Sequence, residues 1–410
     1  MNFDDTTQEA AFRQEARAWL DANAPLKQHP RDVWRATGSG EQSALAAAKE
    51  WQQKKQQSGW ACLQWPKAYG GRESTPMERV IWGQEESRYK VPRGFFDIGQ
   101  GMCGPVLMTY ATEEQKQRYL PPMASGEDIW CQLFSEPSAG SDVAGLRSRA
   151  VRDGDDWIIN GQKIWTSGAH YSDYGILVVR HDPDLPKHKG LTFFFLDMKS
   201  PGIETRPIRQ ISGSSNFNEV YFEDVRIPDS QRLGAVGDGW KVALTTLMNE
   251  RLAVGDAPGP DFDEAFALAK EQKMAEGYAI EDSAVRRDLA NWYVQMTGLK
   301  YTKYRTISAL SRGATPGPEA SITKVVSASK LQNIGSFGIE ARGMAGMLMH
   351  DDADEGRDIF HQGYLGAPGL RIAGGTDEIL RNILAERVLG LPQEPRADKG
   401  VPFNKIPGNS

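Results

Sequence analysis

The stretch Trp157-Ile158-Ile159-Asn160-Gly161-Gln162-Lys163-Ile164-Trp165 decides the fold class of this chain. An Asn-Gly pair between aromatic and β-branched residues is typical of a β-hairpin. Further strand patterns follow at 175–180, 191–198, 203–208 and 219–227, and no helix-length pattern separates them. The sequence therefore predicts an all-β segment at about residues 127–232.

Helical patterns flank this β segment on both sides. Upstream, apolar residues recur at helical spacing over 6–20, 41–57, 75–89 and 112–124. Downstream, four segments suit an antiparallel bundle: 239–255, 282–311, 318–341 and 376–389. The predicted fold is α+β and multidomain: an N-terminal α-helical domain (1–126), a central β-barrel-like domain (127–232), a C-terminal four-helix bundle (233–395) and a loose tail (396–410).

Composition limits the classes of protein that the chain can belong to. Of its 410 residues 40% are hydrophobic and 25% charged, with a net charge of −6, which indicates a globular protein and argues against a nucleic-acid binder. No apolar run is long enough to span a membrane, and the acidic start lacks a signal-peptide pattern. Three cysteines without a CxxC motif predict a cytoplasmic protein. Six scattered histidines without a zinc-binding spacing predict that no metal is bound.

A glycine motif upstream of the β segment tests for a nucleotide-binding fold. Gly99-Gln100-Gly101-Met102-Cys103-Gly104 matches G-x-G-x-x-G. The dinucleotide fingerprint requires a buried strand before it and an acidic residue after the next strand. Helical patterns surround the motif here, so we interpret it as the start of a helix.

Two features of the β segment are candidates for ligand contact. The run Ser135-Glu136-Pro137-Ser138-Ala139-Gly140-Ser141-Asp142 offers hydroxyls and backbone N–H groups to a polar ligand, although an ordinary surface turn has the same composition. Trp165 stands next to Thr166 and Ser167. A flat aromatic ring beside hydroxyls suits a planar cofactor, and a packed core tryptophan is the alternative.

A carboxylate on the helix starting near Gly239 is the candidate base. Glu250 shares a helix face with Ala243, Leu247 and Val254. Arg251 projects from the apolar sector as well. A carboxylate on a core-facing surface is costly unless it is paired or functional, and burial would make it a stronger base. A structural ion-pair network accounts for the spacing equally well.

Several motifs taken together resemble those of the acyl-CoA dehydrogenase family over nearly the whole chain. They are Trp65-Pro66-x-x-Tyr69-Gly70-Gly71, the 135–142 run, Gly161-Gln162-Lys163-x-Trp165, Phe222-x-Asp224-Val225-Arg226-x-Pro228 and Ile372-Ala373-Gly374-Gly375-Thr376-Asp377-Glu378-Ile379-x-Arg381. The α, β, α order also agrees with the fold of that family.

The resemblance implies FAD as cofactor and α,β-dehydrogenation of an acyl-CoA thioester as the reaction. It implies electron transfer to an electron-transfer flavoprotein, a place in fatty acid β-oxidation, and a homodimer or homotetramer, with a heterotetramer as an alternative. It places Ser141 at the thioester and beside the cofactor, and Arg251 and Gly374 at the substrate. The family's other flavin-contacting positions fall on Gln132, Leu133, Ser135, Trp165, Ser167, Thr376 and Glu378.

The resemblance also implies where the catalytic base lies. Many members carry it just before Gly-Thr in the C-terminal motif, where this chain has Gly374 and no carboxylate. Isovaleryl- and long-chain-type members carry it on the first bundle helix before an arginine, which corresponds to Glu250. The Gly374 N–H remains a donor to the thioester oxygen. We predict Glu250 as the base, and members of this kind act on branched, long or bulky acyl chains.

The chain departs from the family pattern in two places. Ser138 replaces a common glycine. The Arg-x-x-Phe-Gly motif, which in the family reaches FAD across a subunit interface, is absent from 270–277, with Arg286 or Arg287 as the candidate substitute. Because of this loss, a partner subunit of a heteromeric dehydrogenase stays open as an alternative. A flavin oxidase, monooxygenase or desulfinase of the same fold is a further alternative.

Overall fold

A computed structural model of the chain describes residues 5–28, 32, 34, 40–253, 259–310, 312, 317–348 and 358–406, with the backbone alone at 250–253, 310 and 358. The chain divides into two compact units. The bundle unit comprises Met1–Trp34, Thr75–Val91 and Val254–Gln393. The sheet unit comprises Arg35–Ser74, Pro92–Ala253 and Glu394–Ser410. The predicted boundaries at 126 and 232 do not coincide with the edges of either unit.

The α-helices range in length from the 7 residues of α4 to the 28 residues of α8. In chain order they are α1 (Thr7–Asn23), α2 (Glu41–Gln57), α3 (Pro76–Glu86), α4 (Gly104–Tyr110), α5 (Glu113–Ser125), α6 (Gly239–Ala253), α7 (Phe262–Glu271), α8 (Ser283–Leu310), α9 (Ser321–Glu340), α10 (Asp358–Leu370) and α11 (Asp377–Arg387). Within the described residues, no helix is both long and apolar enough to cross a membrane.

Side-chain caps explain where three of the N-terminal helices begin. Thr6, Thr75 and Thr112 each accept a hydrogen bond from a backbone N–H in the first turn of the following helix. The backbone N–H of each threonine in turn donates to a Glu or Gln side-chain oxygen of that same turn, which completes a capping box. The predicted helix starts at 6, 75 and 112 therefore coincide with the observed caps.

The β segment forms one mixed sheet in the sheet unit. Its strands are β1 (Trp130–Leu133), β2 (Arg149–Asp153), β3 (Asp156–Ser167), β4 (Tyr174–Arg180), β5 (Leu191–Asp197), β6 (Ile203–Ile208) and β7 (Phe217–Pro228). The hydrogen-bonded order is β1-β4-β2-β3-β7-β6, and β5 pairs with β4. β1 runs parallel to β4, whereas β2–β3, β3–β7, β6–β7 and β4–β5 are antiparallel.

The hairpin predicted at Asn160-Gly161 lies elsewhere. β3 continues through Asn160-Gly161 without a turn. The two-residue turn lies between β2 and β3, at Gly154-Asp155, and is closed by the pairing of Asp153 with Asp156. Gly161 instead marks a shift in the β3–β7 register. It has φ +148°, and a Cβ there would lie 2.3 Å from Ser148 Oγ. Close packing against the segment before β2, rather than a turn, requires glycine at this position.

Helices α4, α5 and α6 pack with the sheet into one hydrophobic core of the sheet unit. Its fully buried members include Leu107, Leu120, Phe193 and Val242. The glycine motif Gly99–Cys103 is a π-helical turn that runs directly into α4. The motif is therefore a helix start, as its helical surroundings predict, and no strand precedes it among the residues that the structure describes.

The bundle unit differs from the predicted four-helix bundle in its membership. Two helices missing from the sequence prediction, α7 and α10, belong to it, and α10 packs along α9. Its core includes Leu268, Trp292, Ile334 and Phe360. The predicted first bundle helix, α6, belongs to the sheet unit instead.

The tail also differs from its prediction as a loose segment. Phe403 is buried, and its backbone N–H donates to the Leu185 carbonyl at 3.0 Å. The next N–H, of Asn404, donates to the Pro183 carbonyl at 3.1 Å. Pro, Gly and Asn dominate the composition of this segment, so its single aromatic anchor was not apparent from the sequence.

Candidate functional site

The loop after β1 is fastened to β3 at three consecutive residues. Lys163 Nζ donates to the Phe134 carbonyl at 3.1 Å, and the Ile164 N–H donates to the Ser135 carbonyl at 2.9 Å. Lys163 also reaches the Glu136 carboxylate at 2.8 Å. The first part of the 135–142 run is therefore held in place by the neighbouring strand, unlike an ordinary surface turn.

A buried ion pair forms the base of this loop. Lys163 is fully buried, and the Glu136 side chain is 4% exposed. The Glu136 carboxylate also accepts hydrogen bonds from the backbone N–H groups of Arg147 and Ser148, at 2.5 and 3.0 Å. Burial raises the pKa of Glu136, but the Lys163 charge and these hydrogen bonds outweigh it and hold that pKa below its usual value. The ionised carboxylate thus joins the loop after β1 to β3 and to the segment before β2.

Trp165 is displayed to the outside of the sheet. Its backbone is left-handed, with φ +61°, and the β3–β7 register shifts between Lys163 and Thr166. Its side chain is 56% exposed and contacts Phe217 edge-on, with ring centroids 6.2 Å apart. A bulky residue at positive φ is strained, and such strain is concentrated at functional sites. The alternative interpretation of Trp165 as a packed core residue is therefore wrong.

The other predicted positions in the sheet unit differ in what they offer a ligand. Leu133 is fully buried in the sheet core, with neither its side chain nor its backbone exposed. Gln132, Ser135 and Ser167 are half-buried, and Ser141 is exposed. In the part of the chain that the structure describes, no hydrogen bond satisfies the buried Thr166 hydroxyl next to Trp165.

The helix that carries Glu250 has a buried face and an exposed face. Val242, Ala243 and Thr246 are fully buried, whereas Leu244 and Met248 are 42% and 57% exposed. Ala243 and Thr246 lie seven and four residues before position 250, so they share its helix face. The side chains of Glu250 and Arg251 lie outside the described residues, and their roles remain predictions.

The predicted C-terminal motif forms a turn at the start of α11 in the bundle unit. Gly374 and Gly375 have φ +64° and +92°, and Thr376 caps the helix by accepting from the Ile379 N–H at 3.2 Å. Among the described residues, no hydrogen bond uses the N–H of Gly374 or Gly375. Two such amides in a glycine turn are free to donate to a ligand oxygen. The Glu378 side chain is exposed.

An arginine and a lysine also hold this turn. Arg371 Nε donates to Asp377 Oδ2 at 2.7 Å, and Asp377 is 2% exposed. Lys324 on α9 donates to the Gly375 carbonyl. Sequence reasoning assigned no role to Asp377, Lys324 or Lys163. For Lys163 a signal existed, since it lies on the same face of β3 as the buried Trp157 and Ile159.

The segment expected to carry Arg-x-x-Phe-Gly is short and lacks arginine. α7 ends at Glu271, and a tight turn follows in which the Met274 N–H donates to the Gly277 carbonyl at 3.0 Å. Arg286 and Arg287 are both exposed in the first turns of α8. Their assignment to the cofactor remains a prediction.

Comparison with known proteins identifies the family. Residues 6–127, 131–225 and 237–389 match the N-terminal, middle and C-terminal domains of acyl-CoA dehydrogenases. Fold and site thus define a flavoprotein oxidoreductase with a helical, a β and a helical domain. The chain belongs to the acyl-CoA dehydrogenase family, which confirms the predicted fold class and family.

Mycobacterial acyl-CoA dehydrogenases are among the similar proteins. Acyl-CoA dehydrogenase IpdE1 of Mycobacterium tuberculosis is 35% identical over 389 residues, covering 94% of this chain and 98% of IpdE1. Acyl-CoA dehydrogenase FadE34 of the same species is 38% identical over 339 residues, which is 82% of this chain but 45% of FadE34.

Two solved structures cover the chain almost completely. One is the "Tcur3481-Tcur3483 steroid ACAD", with a TM-score of 0.77 and 29% identity, which covers 96% of this chain and 100% of that one. The other is the ChsE4-ChsE5 complex of Mycobacterium tuberculosis, with a TM-score of 0.75, 28% identity and the same coverage.

FAD is the cofactor of this family, and the sheet-unit site is suited to it. An isoalloxazine ring presents a flat aromatic face and a polar edge. The exposed Trp165 ring offers a surface for the face, and the unsatisfied Thr166 hydroxyl and the fastened Ser135 loop offer polar groups for the edge. The residues present therefore fit the cofactor.

Proposed function

We propose that the protein dehydrogenates a bulky, steroid-type acyl-CoA thioester between its α and β carbons. The observation that carries this proposal is the strained, exposed Trp165 beside a loop clamped by Lys163 and Glu136. The structure described as a steroid ACAD, similar to this chain over nearly its whole length, supports the substrate class. We further propose a cytoplasmic enzyme that passes electrons to an electron-transfer flavoprotein, in lipid degradation.

The proposed mechanism divides the work among a few residues of this chain. Glu250 removes the α proton of the thioester. The Gly374 N–H donates to the thioester oxygen, where negative charge develops as that proton leaves. Trp165, Ser135 and Ser167 hold FAD, which supplies the acceptor for the β hydride, and Ser141 contacts the thioester portion. We also keep Gln132, Leu133, Thr376 and Glu378 as cofactor contacts, and Arg251 as a substrate contact.

We propose that the active assembly contains a second, different chain. Two observations support this proposal. The 270–277 segment lacks the arginine that in the family reaches FAD across a subunit interface. The similar structures Tcur3481-Tcur3483 and ChsE4-ChsE5 each carry two chain names. A homodimer or homotetramer is the alternative.

Anaerobic bleaching of the flavin tests the reaction. Cholanoyl-CoA (the thioester of a steroid acid), isovaleryl-CoA and palmitoyl-CoA are titrated separately under nitrogen into the flavin-loaded protein, which is co-expressed with its partner chain if the chain alone is colourless. Cholanoyl-CoA should bleach the flavin, and Glu250→Gln should retain the flavin but lose the bleaching. Glu223→Gln, an exposed carboxylate on β7, serves as the control and should bleach like the wild type.

Four results would overturn parts of the proposal. Full turnover in Glu250→Gln would remove Glu250 as the base. Bleaching by isovaleryl- or palmitoyl-CoA alone would exclude the steroid class. Rapid oxygen consumption without an electron-transfer flavoprotein would indicate an oxidase or monooxygenase. A colourless chain that gains flavin only on co-expression with a partner chain would support the heteromeric assembly, and a yellow homomer would contradict it.

A further inference from the structure

The C-terminal strap, residues 396–406, packs against the sheet unit beside the 135–142 run. Its anchor is Phe403, which is 5% exposed and lies face-on below the Arg180 guanidinium, 3.5 Å from Cζ to the ring centre. Pro402 forms a β-bridge with Pro186. The Asn404 side chain donates to Asp184 at 2.6 Å. The strap thus has an aromatic anchor and several polar contacts, all on the β4–β5 connection and the end of β4.

One lysine joins the strap to the loop. Lys187 Nζ lies 2.8 Å from Asp142 Oδ2 and also forms an ion pair with the Asp398 carboxylate of the strap. The Lys187 side chain is only 10% exposed. A largely buried ammonium group needs its partners in place, so both carboxylates are drawn to one point. Asp142 itself is 60% exposed, and an exposed ion pair alone would hold it weakly.

Arg180 makes a second connection between the strap and the end of this loop. Its guanidinium donates to the carbonyls of Ala144 and Leu146, at 2.6 and 3.0 Å, and to that of Lys187 at 3.1 Å. Phe403 covers the guanidinium on one face. The turn at Ala144–Leu146 directly follows Ser141 and Asp142 in the chain. Through Lys187 and Arg180, the strap therefore supports Asp142 and the Ala144–Leu146 turn, which lie on the C-terminal side of the exposed Ser141.

We propose that the C-terminal strap is a positioning element for the acyl-CoA. Through Asp398 and Phe403 it holds Lys187 and Arg180, and these hold the loop that presents Ser141. The strap thereby sets the affinity for the thioester and takes no part in proton or hydride transfer. This inference rests on the proposed function, in which Ser141 contacts the thioester portion.

Conservative substitutions test this proposal without removing the strap. Asp398→Asn and Phe403→Ala weaken the two anchors, and Asp398→Glu retains the charge. Asp173→Asn is the matched control, because Asp173 forms an ion pair with Lys199 at 2.8 Å on the same unit, and neither residue belongs to the strap or to the 135–142 run. Each variant is titrated anaerobically with cholanoyl-CoA, and its amide hydrogen exchange is followed at residues 140–146.

The expected result separates affinity from chemistry. In Asp398→Asn the cholanoyl-CoA concentration for half-bleaching should rise about fivefold, the size of a typical coupling effect, and the bleaching rate at saturation should stay within about twofold. Exchange at 140–146 should accelerate, since the loop loses its anchor. Asp398→Glu and Asp173→Asn should resemble the wild type in both measurements.

Different failures point to different errors. An unchanged half-bleaching concentration in Asp398→Asn and Phe403→Ala would overturn the proposal, and so would a lower melting temperature and flavin content at unchanged affinity, which indicates a purely structural strap. If cholanoyl-CoA does not bleach even the wild type, the proposed substrate is wrong. Faster exchange at 140–146 in Asp398→Asn would then still support the coupling of strap and loop, and unchanged exchange would refute it.

Discussion

Lys163 is a fully buried charged residue that supports the candidate cofactor site from beneath. It lies on the apolar face of β3, and its Nζ reaches both Glu136 and the Phe134 carbonyl. An unpaired ammonium group at this depth would be costly, so Lys163 is tolerated there only because Glu136 is beside it. The loop that offers Ser135 to a ligand therefore depends on a salt bridge beneath it.

Breaking this pair from one side should cost more than replacing both partners. We expect Lys163→Met and Glu136→Gln each to lower the free energy of unfolding by about 3–5 kcal/mol, because each leaves a buried charge unpaired. The double variant should lose less stability than the sum of the two single losses, because it leaves no buried charge unpaired. The Arg147 and Ser148 N–H groups bond different oxygens of Glu136, so the single Gln oxygen retains one of these two bonds. Urea unfolding measures the effects. Lys199→Met, on an exposed pair, should cost less than about 1 kcal/mol. Additive losses would show that the two residues do not act as a pair.

Trp165 combines backbone strain with an exposed ring. Because its φ is +61°, replacement by glycine should relieve a strain of about 1 kcal/mol. We therefore expect Trp165→Gly to leave the melting temperature of the cofactor-free protein unchanged or higher, while FAD dissociates more readily. Flavin content after gel filtration measures the loss. Tyr301→Ala removes an equally exposed aromatic from the bundle unit and should retain the flavin. Full flavin retention in Trp165→Gly would rule out the proposed cofactor contact.

Within strand β3, the bulge at Gly161 brings the strand close to the segment before β2. A Cβ at Gly161 would lie 2.3 Å from Ser148 Oγ, on a backbone with φ +148°. We expect Gly161→Ala to lower the free energy of unfolding by more than about 2 kcal/mol, through strain and a clash together. Gly154→Ala is the matched control, because Gly154 has φ +64° and nothing within 4 Å of its Cβ position. Equal costs would mean that backbone strain alone requires glycine at Gly161.

For the molecule as a whole, the low pKa values of several carboxylates determine its response to acid. Burial raises the pKa of Glu85, but hydrogen bonds from arginines outweigh it and leave that pKa at about 2. The hydrogen bond from Lys187 lowers the pKa of Asp398, also to about 2. Groups of this kind stabilise the fold above the pKa of the unfolded chain, and that contribution is lost as the pH falls through the folded value.

Stability should therefore be nearly constant above about pH 5 and fall steadily toward about pH 2. Glu85→Gln should destabilise the protein at pH 7 by about 3 kcal/mol, and the difference from the wild type should shrink steadily as the pH falls below the unfolded pKa toward about 2, the folded pKa of Glu85. Urea unfolding between pH 7 and pH 3 measures this. Glu223→Gln should leave the curve unchanged. A difference that is independent of pH would show that Glu85 does not stabilise the fold as an anion.

How far the sequence predicts this molecule depends on the range of the interactions. Thr6, Thr75 and Thr112 cap the helices that their local sequence predicts, since a cap acts within one turn. Helices α7 and α10 both pack against α9, a contact that the local sequence does not show, and the sequence prediction omits both. The glycine pair at Gly374 and Gly375 is visible in the sequence, but its support by Lys324 is not.

Local periodicity by itself determined the helical, β and helical order, the face of α6 on which position 250 lies, and the loop that carries Ser135 and Ser141. Spacings of 3.6 and 2 residues are properties of neighbouring residues, so one chain is enough to show them. Only the tertiary structure decided that Asn160-Gly161 is a bulge, that Glu136 pairs with Lys163, and that the strap lies against Arg180. The partners in these contacts are tens to hundreds of residues apart, and packing alone brings them together.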